Sequence, residues 1–206
     1  MNIFDIFSFI FINECIYCGK EYDGTVCTDC RKKIFIRGIS KTQLNNKLYY
    51  LTLYNKNGEI LIDYLKNRKY LSIINYLIEE SLFLLKEDFD FVTAVPSLKF
   101  LSYIPNHLEI FSKEFAKIKN IKFIEFIAKN KKTKSQVILS LKERFLNPMD
   151  AFILRRDYKN LIKGSKILLI DDVYTTGSTL RECEKLLMNS GANVISLVFS
   201  KAILNI

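Results

Sequence analysis

No apolar run in this chain is long enough to cross a membrane. The amino-terminal stretch MNIFDIFSFIFINEC reaches Asn13 and Glu14 and is already interrupted by Asp5, well short of the about 20 apolar residues that a spanning helix needs. It also lacks a positive flank before its apolar part and a small-residue cleavage site, which argues against a secretory signal. The expectation is a core-packing helix, a cytoplasmic chain and reduced thiols. Internal repeats and low-complexity linkers are absent as well, so 206 residues make one core of ordinary size with a small appendage. Histidine is nearly absent. His107 is the only one, and next to Asn106 at a helix start it reads either as a ligand contact or, the favoured reading, as a surface or capping residue. Acidic residues are in deficit, 22 against 31 lysines and arginines, for a formal charge of +9. Such an excess favours anionic partners: nucleic acid, phosphorylated metabolites or acidic lipid.

What is present begins with a 49% hydrophobic composition, enough for a folded core. Four of the five cysteines lie in CIYCGKEYDGTVCTDC, as Cys15-x2-Cys18-x8-Cys27-x2-Cys30. Each C-x2-C pair can turn both sulfurs toward one point, and two pairs complete a tetrahedron of thiolates. Gly19 and Gly24 permit the tight backbone of such knuckles. Disulfides fit a reducing compartment poorly, and a redox pair would be expected beside a βαβ pattern, which this stretch lacks. The expectation is a structural zinc site, because four thiolates leave no open position for water. Cys183 sits at core spacing with Leu180, Leu186 and Leu187 and reads as a small buried residue.

Along the rest of the chain, KLYYLTLYNK reads as a strand and GEILIDYLKNRKYLSIINYLIEESLFLLKE as one or two helices broken at the basic KNRKY. FDFVTAVP reads as a buried strand, NHLEIFSKEFAKIKN as an amphipathic helix and IKFIEFIA as another strand. Residues 129–136, KNKKTKSQ, read as a mobile basic loop, and a short helix is expected to end near Pro148. SKILLI, STLRECEKLLMNSG and NVISLVF close the chain as strand, helix and strand. Alternating strands and helices predict an α/β fold with a doubly wound, mostly parallel sheet. The expected division is an N-terminal helix and cysteine module over residues 1–45 and an α/β domain over 46–206.

The segment ILLIDDVYTTGSTL ends an apolar strand in two carboxylates, Asp171 and Asp172, followed by four hydroxyls and one glycine before a helix. In an open α/β sheet, ligands sit beyond the carboxyl ends of the strands. Thr179 and Glu182 match a capping box, and Gly191 has the place of a helix-ending C′ residue. Free N–H groups at a helix amino terminus cradle phosphate. Thr175, Thr176, Ser178 and Thr179 add hydroxyl donors, and Gly177 lets the backbone close on a ligand. The carboxylates accept hydrogen bonds from sugar hydroxyls and hold Mg²⁺ directly or through water. A terminal phosphate, vicinal hydroxyls and a metal-bound pyrophosphate occur together in phosphoribosyl pyrophosphate.

The same segment resembles the phosphoribosyl-pyrophosphate signature of the type I phosphoribosyltransferases: four apolar residues, two acids, then T-T-G-S-T. Over nearly its full length the chain resembles the ComF-type (ComF/GntX-like) competence branch of that superfamily. The carriers, in order, are Cys15 to Cys30, YLKNRKY, AVPS, QVILSLKERFLNPMDAF and ILLIDDVYTTGSTL. The chain departs from the branch in one place. The branch usually has an Arg-Gly-aromatic-Asn element after the VP strand, whereas YIPNHLEIF retains only Asn106.

The resemblance implies a type I phosphoribosyltransferase fold with a four-cysteine zinc module. It also implies phosphoribosyl pyrophosphate or a ribose 5-phosphate ligand at Asp171, Asp172, Thr175, Thr176, Gly177, Ser178 and Thr179, with Mg²⁺ accompanying pyrophosphate. Lys129, Lys131, Lys132 and Lys134 fall where the superfamily has a flexible loop that closes over pyrophosphate, and a lysine-rich loop can also track nucleic-acid phosphates. Gln136 and Arg144 match a pocket-supporting segment. Lys66, Arg68 and Lys69 read equally as pyrophosphate contacts or as a solvated turn. The function so implied is assistance of DNA uptake and natural transformation, with single-stranded DNA and proteins of the transformation machinery as partners. The alternative is an active transferase that places ribose 5-phosphate on a nitrogen nucleophile and releases pyrophosphate. No residue is assigned a catalytic role.

Overall fold

A computed structural model of the chain describes residues 14–66, 70–96, 106–130 and 151–203. The expected amino-terminal helix, Arg68, Lys69, Lys131, Lys132, Lys134, Gln136, Arg144 and the helix before Pro148 lie outside the described residues.

The centre is a six-stranded sheet built from β1 (Gly38–Lys41), β2 (Lys47–Leu53), β3 (Phe91–Ala94), β4 (Lys122–Phe123), β7 (Lys166–Tyr174) and β8 (Asn193–Lys201). Its strand order is β1-β2-β8-β7-β3-β4, and every pairing is parallel except β1 with β2. The helices are α1 (Thr28–Ile34), α2 (Lys56–Lys66), α3 (Tyr70–Leu84), α4 (His107–Ile118), α5 (Lys159–Ile162) and α6 (Ser178–Met188). Residues of α2, α3 and α4 pack with Leu168, Ile170, Leu197 and Phe199 in one apolar cluster. Leu180, Cys183 and Leu187 of α6 pack with Ile167, Leu169 and Val198 in the other. Helices therefore cover both faces, as doubly wound sheets require, and β7 and β8 read as near-continuous apolar runs for that reason. Cys183 is fully buried there.

The cores follow from side-chain spacing. In α4, Leu108, Phe111 and Phe115 recur at helical intervals on one buried stripe. Phe111 meets Phe199 of β8 edge-on at 4.8 Å between centroids. Each such ring, fully buried, contributes roughly 1.5–3 kcal/mol. Asn106 starts α4 by accepting the Leu108 N–H at 3.2 Å.

The stretch expected to form one helix or two, broken at KNRKY, forms two, α2 and α3. Other expectations are corrected. IKFIEFIA is not one strand: Lys122–Phe123 joins the central sheet, and Ile127–Lys129 forms β5 of a separate antiparallel pair with β6 (Phe152–Leu154). Lys129 therefore ends a strand rather than opening the basic loop. The capping box at Thr179 does not form, because Gly177 precedes the first helical residue, Ser178, and no side chain caps it. Gly191 does end α6. It has φ 89°, and the N–H groups of Gly191 and Ala192 bond to the carbonyls of Met188 and Leu187, the Schellman pattern.

β1, which no sequence pattern announced, ties the cysteine module to the sheet. Val26 and Phe35 join the main core, and the Ile34 carbonyl accepts a 2.7 Å bond from Thr52 of β2. Buried Glu80 of α3 accepts from Arg31 and Arg37 at 2.6 Å each. Among the described residues no helix is long and apolar enough to cross a membrane.

Candidate functional site

β7 runs to Tyr174, four residues beyond the apolar ILLI, so the two carboxylates lie inside the strand rather than past its end. The cause is asymmetric pairing. On one side β8 accompanies β7 to Tyr174, whereas on the other β3 ends at Ala94, opposite Ile170. Asp171 and Asp172 thus stand just where the neighbouring strand stops and a crevice opens. From β3 the chain crosses through α4 to β4 on one side, while β7 lies on the other side, so this crevice is the topological switch point.

Successive side chains of a strand point to opposite faces, and the contacts separate the two acids accordingly. Asp171, only 7% exposed, lines the turn that leads into α6. Its Oδ1 accepts the Asp172 N–H at 2.9 Å. Burial, with the second carboxylate beside it, raises its pKa well above the carboxylate range. Asp172 faces the other way. Its Oδ2 lies 3.2 Å from Lys66 Nζ at the end of α2. The same oxygen is 3.6 Å from His107 Nε2 at the start of α4, an electrostatic contact longer than a hydrogen bond. Burial alone would raise the Asp172 carboxyl, but His107 and Lys66 hold it down at about 2. One acid is therefore disposed to stay protonated and the other to stay ionised.

The turn Thr175–Thr179 borders a small, open concavity together with Asp171, Val173, Tyr174 and Leu180. Thr176 Oγ1 and Ser178 Oγ are 3.2 Å apart. Arg181 N–H closes the first helical turn on the Gly177 carbonyl at 2.9 Å. The N–H groups of Ser178, Thr179 and Leu180 precede that bond and have no intrahelical acceptor. The Ser178 N–H reaches only the Thr176 hydroxyl, at 3.5 Å. Gly177 has φ 76°, and a Cβ there would stand 2.5 Å from the Tyr174 hydroxyl. Glycine is required by the tyrosine beneath it as well as by the left-handed backbone.

The cysteine cluster is assembled as well. Thiols of Cys15, Cys18, Cys27 and Cys30 all lie within 4.8 Å of one another, and Cys18 and Cys27 are 3.8 Å apart. Four thiolates about 2.3 Å from one tetrahedral zinc would be about 3.8 Å apart, so the residues fit a metal ion. Gly19 (φ 67°) closes the first knuckle by donating to the Cys15 carbonyl. Burial would raise the Cys15 thiol, but N–H groups around it, that of Cys27 at 3.3 Å among them, lower it to about 6.

Sequence reasoning brought the turn and the carboxylates together but read His107 as a surface or capping residue. It is 12% exposed and faces Asp172, while Asn106 does the capping. Lys66, left open between site and solvated turn, is exposed and pairs with Asp172. Lys129 is half-buried on β5, its pKa lowered by burial.

A doubly wound sheet carrying a hydroxyl-rich, anion-ready turn beside two acids at its switch point defines a phosphoribosyltransferase-type protein. Residues 100–201 match the phosphoribosyl transferase domain family. The chain is similar to the ComF-type branch of the phosphoribosyltransferase superfamily. It is 37% identical over 93 residues to Competence protein F of Haemophilus influenzae, a match spanning 45% of this chain and 40% of that relative. Among solved structures, it is similar to adenine phosphoribosyltransferase of Thermoanaerobacter pseudethanolicus, with TM-score 0.45, 21% identity and coverage of 67% of this chain and 72% of that one. It is also similar to adenine phosphoribosyltransferase of Leishmania donovani, with TM-score 0.46, 12% identity and coverage of 80% and 86%. For glutamine phosphoribosylpyrophosphate amidotransferase of B. subtilis the values are 0.43 and 20%, covering 65% of this chain and 26% of that one.

Proposed function

We propose that the protein assists DNA uptake in natural transformation, that it binds phosphoribosyl pyrophosphate or a related ribose 5-phosphate at the turn before α6, and that it also binds single-stranded DNA. The observation that carries the ligand is the placement of the Thr175–Thr179 turn beside the separated carboxylates. The 5-phosphate rests on the N–H groups and hydroxyls of the turn, where helix polarity favours an anion. Asp171, whose burial favours the protonated form, can exchange hydrogen bonds with a ribose hydroxyl. Asp172, whose carboxyl is held down by Lys66 and His107, would hold a hydrated Mg²⁺, and that ion would supply charge neutralisation for the pyrophosphate. Lys66 stands where it can pass from Asp172 to a pyrophosphate oxygen. The competence role draws on the similarity to Competence protein F and on the charge of +9. The cysteine cluster suits a structural zinc.

Calorimetry with phosphoribosyl pyrophosphate and Mg²⁺ tests the ligand. Asp172→Asn keeps the shape and removes the charge, and should weaken Mg²⁺-dependent binding about tenfold with an unchanged circular dichroism spectrum. A parent protein that binds neither phosphoribosyl pyrophosphate nor ribose 5-phosphate would end this reading. Pyrophosphate release with a panel of bases would instead make the protein an active transferase.

A further inference from the structure

We infer that Gln43, in the turn between β1 and β2, is a positioning residue that fixes the peptide orientation of the phosphate turn. The inference rests on the phosphate-binding reading above and concerns a residue that no sequence signature marks.

The Gln43 side-chain amide donates to the Thr176 carbonyl across 133 residues of sequence. In a trans peptide the carbonyl and the following N–H point in opposite directions. Holding the Thr176 carbonyl on the Gln43 side therefore aims the Gly177 N–H the other way. Gly177 makes such a constraint necessary. Tyr174 beneath it demands a residue without Cβ, at φ 76°. The same absence of Cβ leaves glycine free to take either sign of φ, so the Thr176–Gly177 peptide can flip at little cost. A flipped peptide would present a carbonyl oxygen, not an N–H, toward a bound phosphate.

The turn that carries Gln43 is itself anchored to the elements it braces. Thr42 Oγ1 accepts the N–H groups of Leu44 and Asn46 at 3.3 and 3.2 Å, which closes the turn on itself. The buried Glu184 of α6 accepts from Ser196 Oγ at 2.8 Å, and the Thr42 and Asn46 side chains approach the same carboxylate. Asn46 Nδ2 also reaches Met188 Sδ at the far end of α6. The Tyr174 hydroxyl meets the Gln43 backbone. Gln43 thus reaches the phosphate turn from a platform built on α6, β7 and β8, and the exposed amide is the last link.

The experiment compares Gln43→Ala, Gln43→Glu and Gln43→Lys with the parent protein, using ribose 5-phosphate and, separately, Mg²⁺–pyrophosphate as calorimetric probes. Gln43→Glu keeps the length of the side chain but cannot donate at neutral pH, whereas Gln43→Lys restores a donor. The expected result is ribose 5-phosphate binding about three- to tenfold weaker in the Ala and Glu variants and near the parent value in Lys, with melting temperatures unchanged. Mg²⁺–pyrophosphate, held on the Asp172 side, should bind all variants alike. Equal ribose 5-phosphate affinity in all four proteins would overturn the role of Gln43 while leaving the phosphate site standing. So would a loss in Gln43→Lys as large as in Gln43→Ala, or a loss shared equally by the two probes. Absence of ribose 5-phosphate binding in the parent would remove the phosphate site itself and the inference with it.

Discussion

At Gly177 the left-handed backbone and the Tyr174 ring act together. Gly164 offers an internal comparison: its φ is 77°, but a Cβ there would meet nothing within 4 Å. Gly164→Ala should therefore cost only the backbone strain, about 1 kcal/mol. Gly177→Ala should cost about 1–2 kcal/mol more, because Tyr174 Oη, Cζ and Cε2 all lie within 2.7 Å of the new carbon. Urea denaturation of the two variants measures the difference, and equal losses would mean that Tyr174 moves freely aside. The adjacent acids carry the same lesson about single side chains. One position apart, their pKa values are pushed in opposite directions, because Asp171 is buried beside a second carboxylate while Asp172 faces Lys66 and His107.

Elements are joined here by a few ionic groups that span long sequence distances. Glu87, just past α3, accepts from Lys47 of β2 at 2.6 Å, from Lys166 of β7 at 2.7 Å and from Tyr49 at 2.6 Å. Burial would raise the Glu87 carboxyl, but those partners lower it to about 2. A depressed carboxyl stabilises the fold above its unfolded pKa and loses that contribution as the pH falls toward the folded value. Stability should thus decline between about pH 4.5 and pH 2, with on the order of 2–3 kcal/mol from this group. Glu87→Gln should flatten that part of the pH profile in thermal melts, and an unchanged profile would show that the network contributes nothing. In the amino-terminal module, α1 begins at the second cysteine pair and docks on α3 through Arg31 and Glu80. One zinc per chain is expected by elemental analysis, with loss of metal in Cys18→Ser, while disulfides among the four cysteines would contradict the site.

Taken whole, the molecule sets a crevice at the sheet's switch point within a chain of charge +9. Salt-sensitive binding of single-stranded DNA should follow. Each neutralised phosphate should contribute a slope of about −0.7 in log K against log salt. Charge reversal at Lys131 and Lys132 should make that slope shallower in fluorescence titrations. Binding indifferent to salt, or none at low salt, would remove nucleic acid from the proposed role.

Local pattern sufficed wherever chemistry and structure are local. The ILLIDDVYTTGSTL run marked the strand, the acids and the hydroxyl-rich turn before the helix, and the C-x2-C spacing marked the thiol cluster that the fold assembles. Helical spacing likewise marked α4 and α6. Four-residue β1 carried no such mark, since its burial alternates weakly and its pairing partner Tyr50 lies across a turn. The split of IKFIEFIA between two sheets was equally hidden, because one apolar period serves either sheet. Where Asp171 and Asp172 point, and which side chains meet Asp172, depends on where β3 stops and on how the end of α2 and the start of α4 lie near each other. Gln43 reaches Thr176 only because β1 and β2 bring their turn against α6. Spacing along a chain encodes which residues share a face, but contacts between segments arise from packing whole faces together, and no short stretch of sequence contains that information.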